Sequence, residues 1–443
     1  MKKISLGLLI TLLIVMTSCA NENGNEIREI NPEHNNKMQG EITFWHSFTQ
    51  GPRKEFLENR AQNFMKKHPD VSIKIESFSW DNFYTKWTTG YTSGQVPDVS
   101  SALPNHVVEM IDADALIPLN DVIDNIGRDR FYDKALSEGT VDGRNYSIPI
   151  YTHAQVMWYR KDLLKEANLE VPETWDELYE AAIKLTNNTN TYGLSVPMGT
   201  DDMMATRFLN YYVRSAGDKL LKNGRANLTS PAAIDGINYW VKMYQATSPK
   251  GSINYNVLDQ ATLFYQGNTA FDFNSGFQIS GVETNSPQLL DQIDAAPIPK
   301  VNKSDEKQGI ETSNTPIVVW KNSNHPEIAK AFVESLFEKE EYIKFLHAVP
   351  AGMLPSLKDI NKEPEYMDNE TIQNFDHAVD VINSEVKKGT AIGMEEEPFP
   401  EAGILTNQGI IENMFQEIIV SGIPIEEAAE KAEKKLNRIF DTY

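Results

Sequence analysis

Three consecutive residues, Trp45, His46 and Ser47, bring a flat apolar ring, an imidazole and a hydroxyl to the end of the apolar run Ile42–Trp45. Such a set can stack on an apolar face and exchange hydrogen bonds, which suits a hydroxyl-rich small molecule. Trp45 can equally point into the core. Trp80 and Tyr84 flank the exit of a second apolar stretch, and Met353 sits in a loop beside Gly352. Two acidic runs, Asp201-Asp202 and Glu395-Glu396-Glu397, invite comparison with glycoside hydrolases. Those enzymes need two carboxylates about 5–9.5 Å apart, a geometry that sequence neighbours do not establish. The acidic runs read as solvated faces, and no catalytic residue is assigned. The eight histidines show no HExxH spacing, and one cysteine excludes a thiolate metal site. No GxxxxGKS phosphate cradle occurs, so any ATPase is a separate subunit, and neither metal nor cofactor is implied.

The elements that position these residues follow from periodicity. Glu41–Trp45 reads as a buried strand, and residues 53–67 as a helix with Phe56, Leu57, Ala61 and Phe64 at helical spacing. Val71, Ile73 and Ile75 alternate as a second strand. Asp81 is placed to cap a helix carrying Phe83, Tyr84 and Trp87, and Pro97-Asp98-Val99 leads into a third strand. Thr174 and Glu177 form a capping box. Tyr211-Tyr212 falls in a helix and reads as core. Ala329–Leu346 reads as one amphipathic helix, and the chain closes with another from about Ile425. Alternating strands and helices predict an α/β architecture with mostly parallel sheet.

The N-terminus carries a different message. Lys2 and Lys3 precede the stretch Ile4–Val15, then Thr17, Ser18 and the chain's one cysteine, Cys19. This is the layout of a secretory signal, too short for the roughly 20 apolar residues of a membrane span. Ser18-Cys19 resembles a bacterial lipobox, with Met16 where leucine is usual, so Cys19 is the expected lipidation site. The alternatives are a simple secretory signal or an uncleaved anchor, and each places the protein outside the cytoplasm. The expected division is signal peptide 1–18, then a lipid-anchored tether 19–39 rich in Asn and Glu. Without further cysteines the exported part relies on its hydrophobic core, for which roughly 400 residues suffice. A formal charge of −22 disfavours nucleic acid and anionic lipid surfaces.

Eight segments occur in a familiar order: ITFWHSF at 42–48, NFMKKHPDVSIKI at 63–75, SGQVPDV at 93–99, YSIPIYTHAQVMWYRKDLLKEANLEVPETWDEL at 146–178, FYQGNTAFDFNSG at 264–276, APIPK at 296–300, VPAGMLPS at 349–356 and AAEKAEKKLNRI at 428–439. In this order the chain resembles the extracellular solute-binding proteins of bacterial ABC importers, within the carbohydrate-binding group that includes maltose-binding proteins. The resemblance implies a two-lobe periplasmic-binding-protein-like fold with an interlobe cleft and crossing strands. One lobe would be 40–151 plus 313–365, the other 152–312 plus 366–443. It implies a monomer that closes around a di- or oligosaccharide and delivers it to an ABC permease, with no enzymatic activity.

The same resemblance places Asn105 after the third strand, His153 at the first crossing and Phe277 after the Asn274-Ser275-Gly276 turn, all as ligand contacts, with Tyr151 beside His153. His153 stands where maltose-binding proteins carry an acid, and no Trp or Tyr occupies Gly393–Asn407, where they stack a ring. Both departures argue against a maltodextrin. A glycerol 3-phosphate or glycerophosphodiester ligand is the alternative, and since none of these candidates is cationic, a neutral sugar is favoured.

Overall fold

The computed structural model describes residues 38–49, 51–187, 191–306 and 309–442; the side chains of Trp80, Asp81 and Tyr84, like Cys19 and the leader, lie outside the described residues. From Met38 on, the chain forms one compact unit. Its site-bearing elements are β1 (Gly40–His46), α1 (Gly51–Lys67), β2 (Val71–Ser77), α2 (Trp80–Ser93), β3 (Val99–Ser101), α3 (Pro104–Asp112), β4 (Ser147–Ala154), β5 (Val156–Arg160), α4 (Trp175–Leu185), β6 (Tyr192–Leu194), α5 (Met204–Ser215), β7 (Thr269–Asn274), α6 (Phe277–Asn285), β8 (Ile293–Ala296), β9 (Thr312–Val319), α7 (Pro326–Ser335), α8 (Lys339–Leu346), α9 (Glu401–Asn407) and α10 (Ile425–Phe440).

Two sheets organise the unit, one ordered β2-β1-β3-β9-β4 and the other β8-β5-β7-β6. The chain passes from the first to the second between Ala154 and Val156, and returns along β9. The expectation of mostly parallel sheet is corrected. Pairs β1–β2, β1–β3 and β6–β7 are parallel, whereas β3–β9, β4–β9, β5–β7 and β5–β8 are antiparallel. The return strand β9 enters the first sheet against the direction of β3, and β4 leaves it against β9, so crossing between sheets makes them mixed.

Strand alternation decides which face each residue serves. Ile42 and Phe44 of β1 join Leu57, Phe64 and Phe332 in one core, while Trp45 points to the other face and packs with Phe83, Trp87 and Trp320. There the Trp87 and Trp320 indoles lie edge to face at 4.9 Å and both donate to Ser100 Oγ, at 3.0 and 2.9 Å. Burying two indole N–H groups without an acceptor would cost on the order of 1–3 kcal/mol each, and one serine removes both penalties. In the β4–β9 ladder Pro149 faces Pro316 and the register shifts between Thr315 and Pro316. Neither ring nitrogen can donate, so the ladder breaks there.

Two helix expectations are revised. The second helix starts at Trp80 with Ser79 as its N-cap, so Asp81 lies inside its first turn and is not the cap. The predicted helix 329–346 is two helices, α7 and α8, because Glu338 is extended at ψ 122°. Its carboxylate is drawn to Arg60 and Lys67 of α1, at 3.2 and 3.1 Å. The Thr174–Glu177 capping box is present as read, with Glu177 N–H donating to Thr174 Oγ1 at 3.2 Å.

Candidate functional site

At the C-terminal end of β1, His46 is fully buried and its ring lies 5.7 Å from that of Phe48. Phe48 neighbours Tyr151 at 6.2 Å, and Tyr151 neighbours His153 at 6.2 Å and Phe277 at 6.4 Å. His153 meets Phe277 edge to face at 6.0 Å. The chain of five rings thus runs from the first sheet, along crossing strand β4, to the start of α6 behind the second sheet. Tyr151 and His153 share one face of β4 because they are two residues apart. Thr152 turns to the opposite face, where its β9 partner Asn314 donates to Glu138 Oε2.

Phe277 is seated by close backbone approach. A Cβ at Gly276 would fall 1.9 Å from the Ala351 carbonyl oxygen, so only glycine lets the turn press on the 351–353 loop. The Trp158 indole holds the same turn by donating to Ser275 O at 3.0 Å.

Several polar atoms here have no protein partner. His46 Nε2, Ser47 Oγ and His153 Nδ1 are all buried without a hydrogen bond. Burial, with Lys54 and Arg53 nearby, holds the His46 pKa down at about 4. Burial, with Arg207 and Arg53 nearby, holds that of His153 down at about 3. Both imidazoles are therefore neutral at physiological pH, and each offers one donor and one acceptor.

A second contact joins the two halves away from the crossing strands. Asn105 Nδ2 of α3 donates to Thr406 Oγ1 of α9, and His106 Nε2 lies 3.1 Å from Asn407 Oδ1. Gly403 makes this packing possible, since a Cβ there would lie 3.0 Å from the Asn105 carbonyl oxygen. Near the return crossing, Arg207 of α5 donates through Nε to both oxygens of Glu311, at 3.0 and 3.1 Å. The Glu311 carbonyl accepts from Gln155 N–H at 2.9 Å between β4 and β5.

Of the sequence candidates, His46, Tyr151, His153 and Phe277 are brought together, with Ser47 adjoining. Trp45 is placed on the other face of β1, its indole beneath Lys86 Nζ at 4.8 Å. Met353 is wholly buried in the core, as are His46, Phe48 and Tyr151; of the ring chain only His153 and Phe277 are half-buried. Asn105 spends its amide donor on Thr406. Trp80 and Tyr84 fall among the side chains not described. Three of the five acids in these runs make structural contacts, while Asp201 and Glu397 are exposed as expected: Asp202 accepts from the N–H groups of Met203 and Val257, Glu395 pairs with Arg214, and Glu396 with Lys219. Tyr211 packs on Phe208 and Phe273 as core.

Sequence reasoning missed Phe48 and Arg53. The guanidinium of Arg53, in the first turn of α1, lies 4.7 Å from the Phe48 ring centroid and 5.1 Å from that of Phe277. The premise that no cation joins these residues is therefore corrected. An i, i+2 step from His46 to Phe48 was the available signal, but Arg53 reaches the rings only through the fold. Among the described residues no group of histidines, cysteines and carboxylates is placed to hold a metal ion, and no helix is long and apolar enough to cross a membrane.

Two mixed sheets joined by crossing strands, with rings and unspent polar atoms where they meet, define a two-lobe solute-binding protein. The family model of the bacterial extracellular solute-binding proteins matches residues 49–343, and the chain belongs to that family. Among its relatives, the putative ABC transporter periplasmic-binding protein YcjN of Escherichia coli K12 is 23% identical, covering 98% of this chain and 99% of that one. The arabinooligosaccharide-binding protein of Bacillus subtilis 168 is 25% identical, covering 84% and 86%. Among solved structures, a Thermotoga lettingae solute-binding protein bound to alpha-D-tagatose superposes with a TM-score of 0.78 at 22% identity, covering 91% of this chain and all of that one. Maltose-bound MalE3 of T. maritima gives 0.76 at 21% identity, covering 90% and 99%. The family is one of extracytoplasmic binding proteins rather than enzymes.

Proposed function

We propose that this protein is a lipid-anchored carrier that captures a di- or oligosaccharide between its lobes and hands it to an ABC permease, the anchor being Cys19. We divide the lobes at 40–151 plus 313–365 and 152–312 plus 366–443. The observation that carries the reading is the ring chain His46–Phe48–Tyr151–His153–Phe277, which spans both halves and presents buried polar atoms without protein partners. Rings suit the apolar faces of a sugar, and neutral imidazoles suit its hydroxyls. Relatives named for arabinooligosaccharides and maltotriose support the ligand class.

The test is a thermal-shift screen against neutral mono-, di- and oligosaccharides and glycerol phosphates. A ligand at 100 times its Kd stabilises the folded state by about 2.7 kcal/mol. A saccharide hit is expected, and silence across a broad panel would remove the sugar assignment. For the anchor, Cys19→Ala is expected to release the protein from the membrane fraction, and undiminished membrane association would reject lipidation there. A second reading, a carrier of glycerol 3-phosphate or a glycerophosphodiester, is favoured by one observation, the cation Arg53 among the rings.

A further inference from the structure

Arg53 differs from the other arginines inside this protein. Arg60, Arg130, Arg160, Arg207 and Arg214 are buried or half-buried, and each meets a carboxylate. Arg53 is half-buried too, yet among the described residues no carboxylate, carbonyl or hydroxyl accepts from it. Its guanidinium lies over the Phe48 and Phe277 rings. Two ring faces hold the cation without consuming any of its five N–H groups. A guanidinium positioned in this way, with its donors unspent, is matched by a planar carboxylate or by a phosphate, which accept two parallel bonds.

The surrounding charge agrees. The neighbouring charges that act on His46 are Lys54 and Arg53, and those that act on His153 are Arg207 and Arg53. Arg207 is offset by Glu311, and Lys54 lies 3.7 Å from Glu58, which leaves Arg53 the uncompensated charge of the cluster. A chain with a formal charge of −22 thus keeps a positive centre where its two halves meet.

We propose that the ligand is an acidic saccharide, its carboxylate or phosphate held by Arg53 while the half-buried rings of His153 and Phe277, backed by the buried Phe48 and Tyr151, meet its apolar faces. The proposal rests on the sugar-carrier reading and narrows it. The rings distinguish it from a glycerol phosphate ligand, which has no pyranose face to cover.

Isothermal titration of the full-length protein in detergent tests it with matched probes: digalacturonate against galactobiose, glucose 6-phosphate against glucose, and glycerol 3-phosphate. The acidic member of at least one pair is expected to bind about tenfold tighter or more, a preference that shrinks as salt rises. A preference confined to digalacturonate names a uronate, and one confined to glucose 6-phosphate names a sugar phosphate. R53Q is expected to lose about tenfold or more on the acidic probe beyond any loss on its neutral partner, and R53K to lose less, since it keeps the charge without the fork. The melting temperature of each unliganded variant reports folding. Neutral probes that bind as tightly as acidic ones, or an R53Q loss equal on both, would overturn the proposal while leaving the sugar-carrier reading intact. Binding of glycerol 3-phosphate alone, or of no saccharide, would overturn both.

Discussion

The backbone N–H of Phe48 donates to Nδ1 of His46 at 3.1 Å. An acceptor Nδ1 in a neutral ring puts the single proton on Nε2, the buried atom that no protein group accepts from. The turn after β1 therefore fixes the tautomer, and it also brings Phe48 beside the imidazole. His46 thus carries a buried donor of known identity that no protein group accepts from.

His46→Ala removes that donor and should weaken ligand binding about tenfold, equivalent to about 1.4 kcal/mol, as read by titration calorimetry. Because neither imidazole titrates near neutrality, wild-type affinity for a neutral saccharide, or for a uronate that is ionised throughout, should be flat between about pH 5.5 and about pH 8. A drop centred near the ordinary histidine value of about 6.5 would show that these rings are solvated, contrary to the packing described.

Buried carboxyls give stability its own pH dependence. Burial pushes Glu412 up to about 7, above its ordinary range, although Thr206 donates to it through backbone and hydroxyl. A group raised in the folded state contributes stability below its unfolded pKa and loses it as pH rises through the folded one. Glu412→Gln escapes the ionised, buried state. Measured by urea unfolding, its stability relative to wild type should rise by an amount on the order of 1 kcal/mol between about pH 5.5 and about pH 8. A relative stability that falls over this range would contradict the assignment.

Gly403→Ala should act on closure rather than on folding. The added Cβ meets the Asn105 carbonyl at the α3–α9 contact, so it wedges the two halves apart. Ligand affinity is expected to fall several-fold with little change in the melting temperature of the unliganded protein. An equal loss in both would mean that α3 and α9 form a single folding unit.

Arg207→Ala leaves Glu311 without the partner that offsets its burial. Breaking a buried pair from one side costs about 3–5 kcal/mol, which denaturant unfolding would detect easily. A change near zero would show that Arg214, which also acts on Glu311, takes over the role.

How far the sequence carried can be judged from particular residues. The strand pattern of 71–75, the Thr174–Glu177 box and the final helix depend on local spacing, and all three were legible. The break at Glu338 was not, because its cause lies in α1, far away in sequence. In Trp45-His46 the two side chains leave opposite faces of one strand. The residues alone did not say which face would meet the second half of the molecule, since both faces are buried at the C-terminal end of β1. Arg53 was invisible for a related reason: its ring partners are Phe48, five residues back, and Phe277, on another element entirely.

All six described tryptophans, Trp45, Trp87, Trp158, Trp175, Trp240 and Trp320, are buried in cores, and none belongs to the ring chain between the halves. The optical consequence is that emission from these six indoles should respond only weakly to direct ligand contact at those rings, where the native chromophores are tyrosine and phenylalanine. An indole introduced as Phe277→Trp would stand alone there, so that a shift in its emission would report occupancy without labelling the protein.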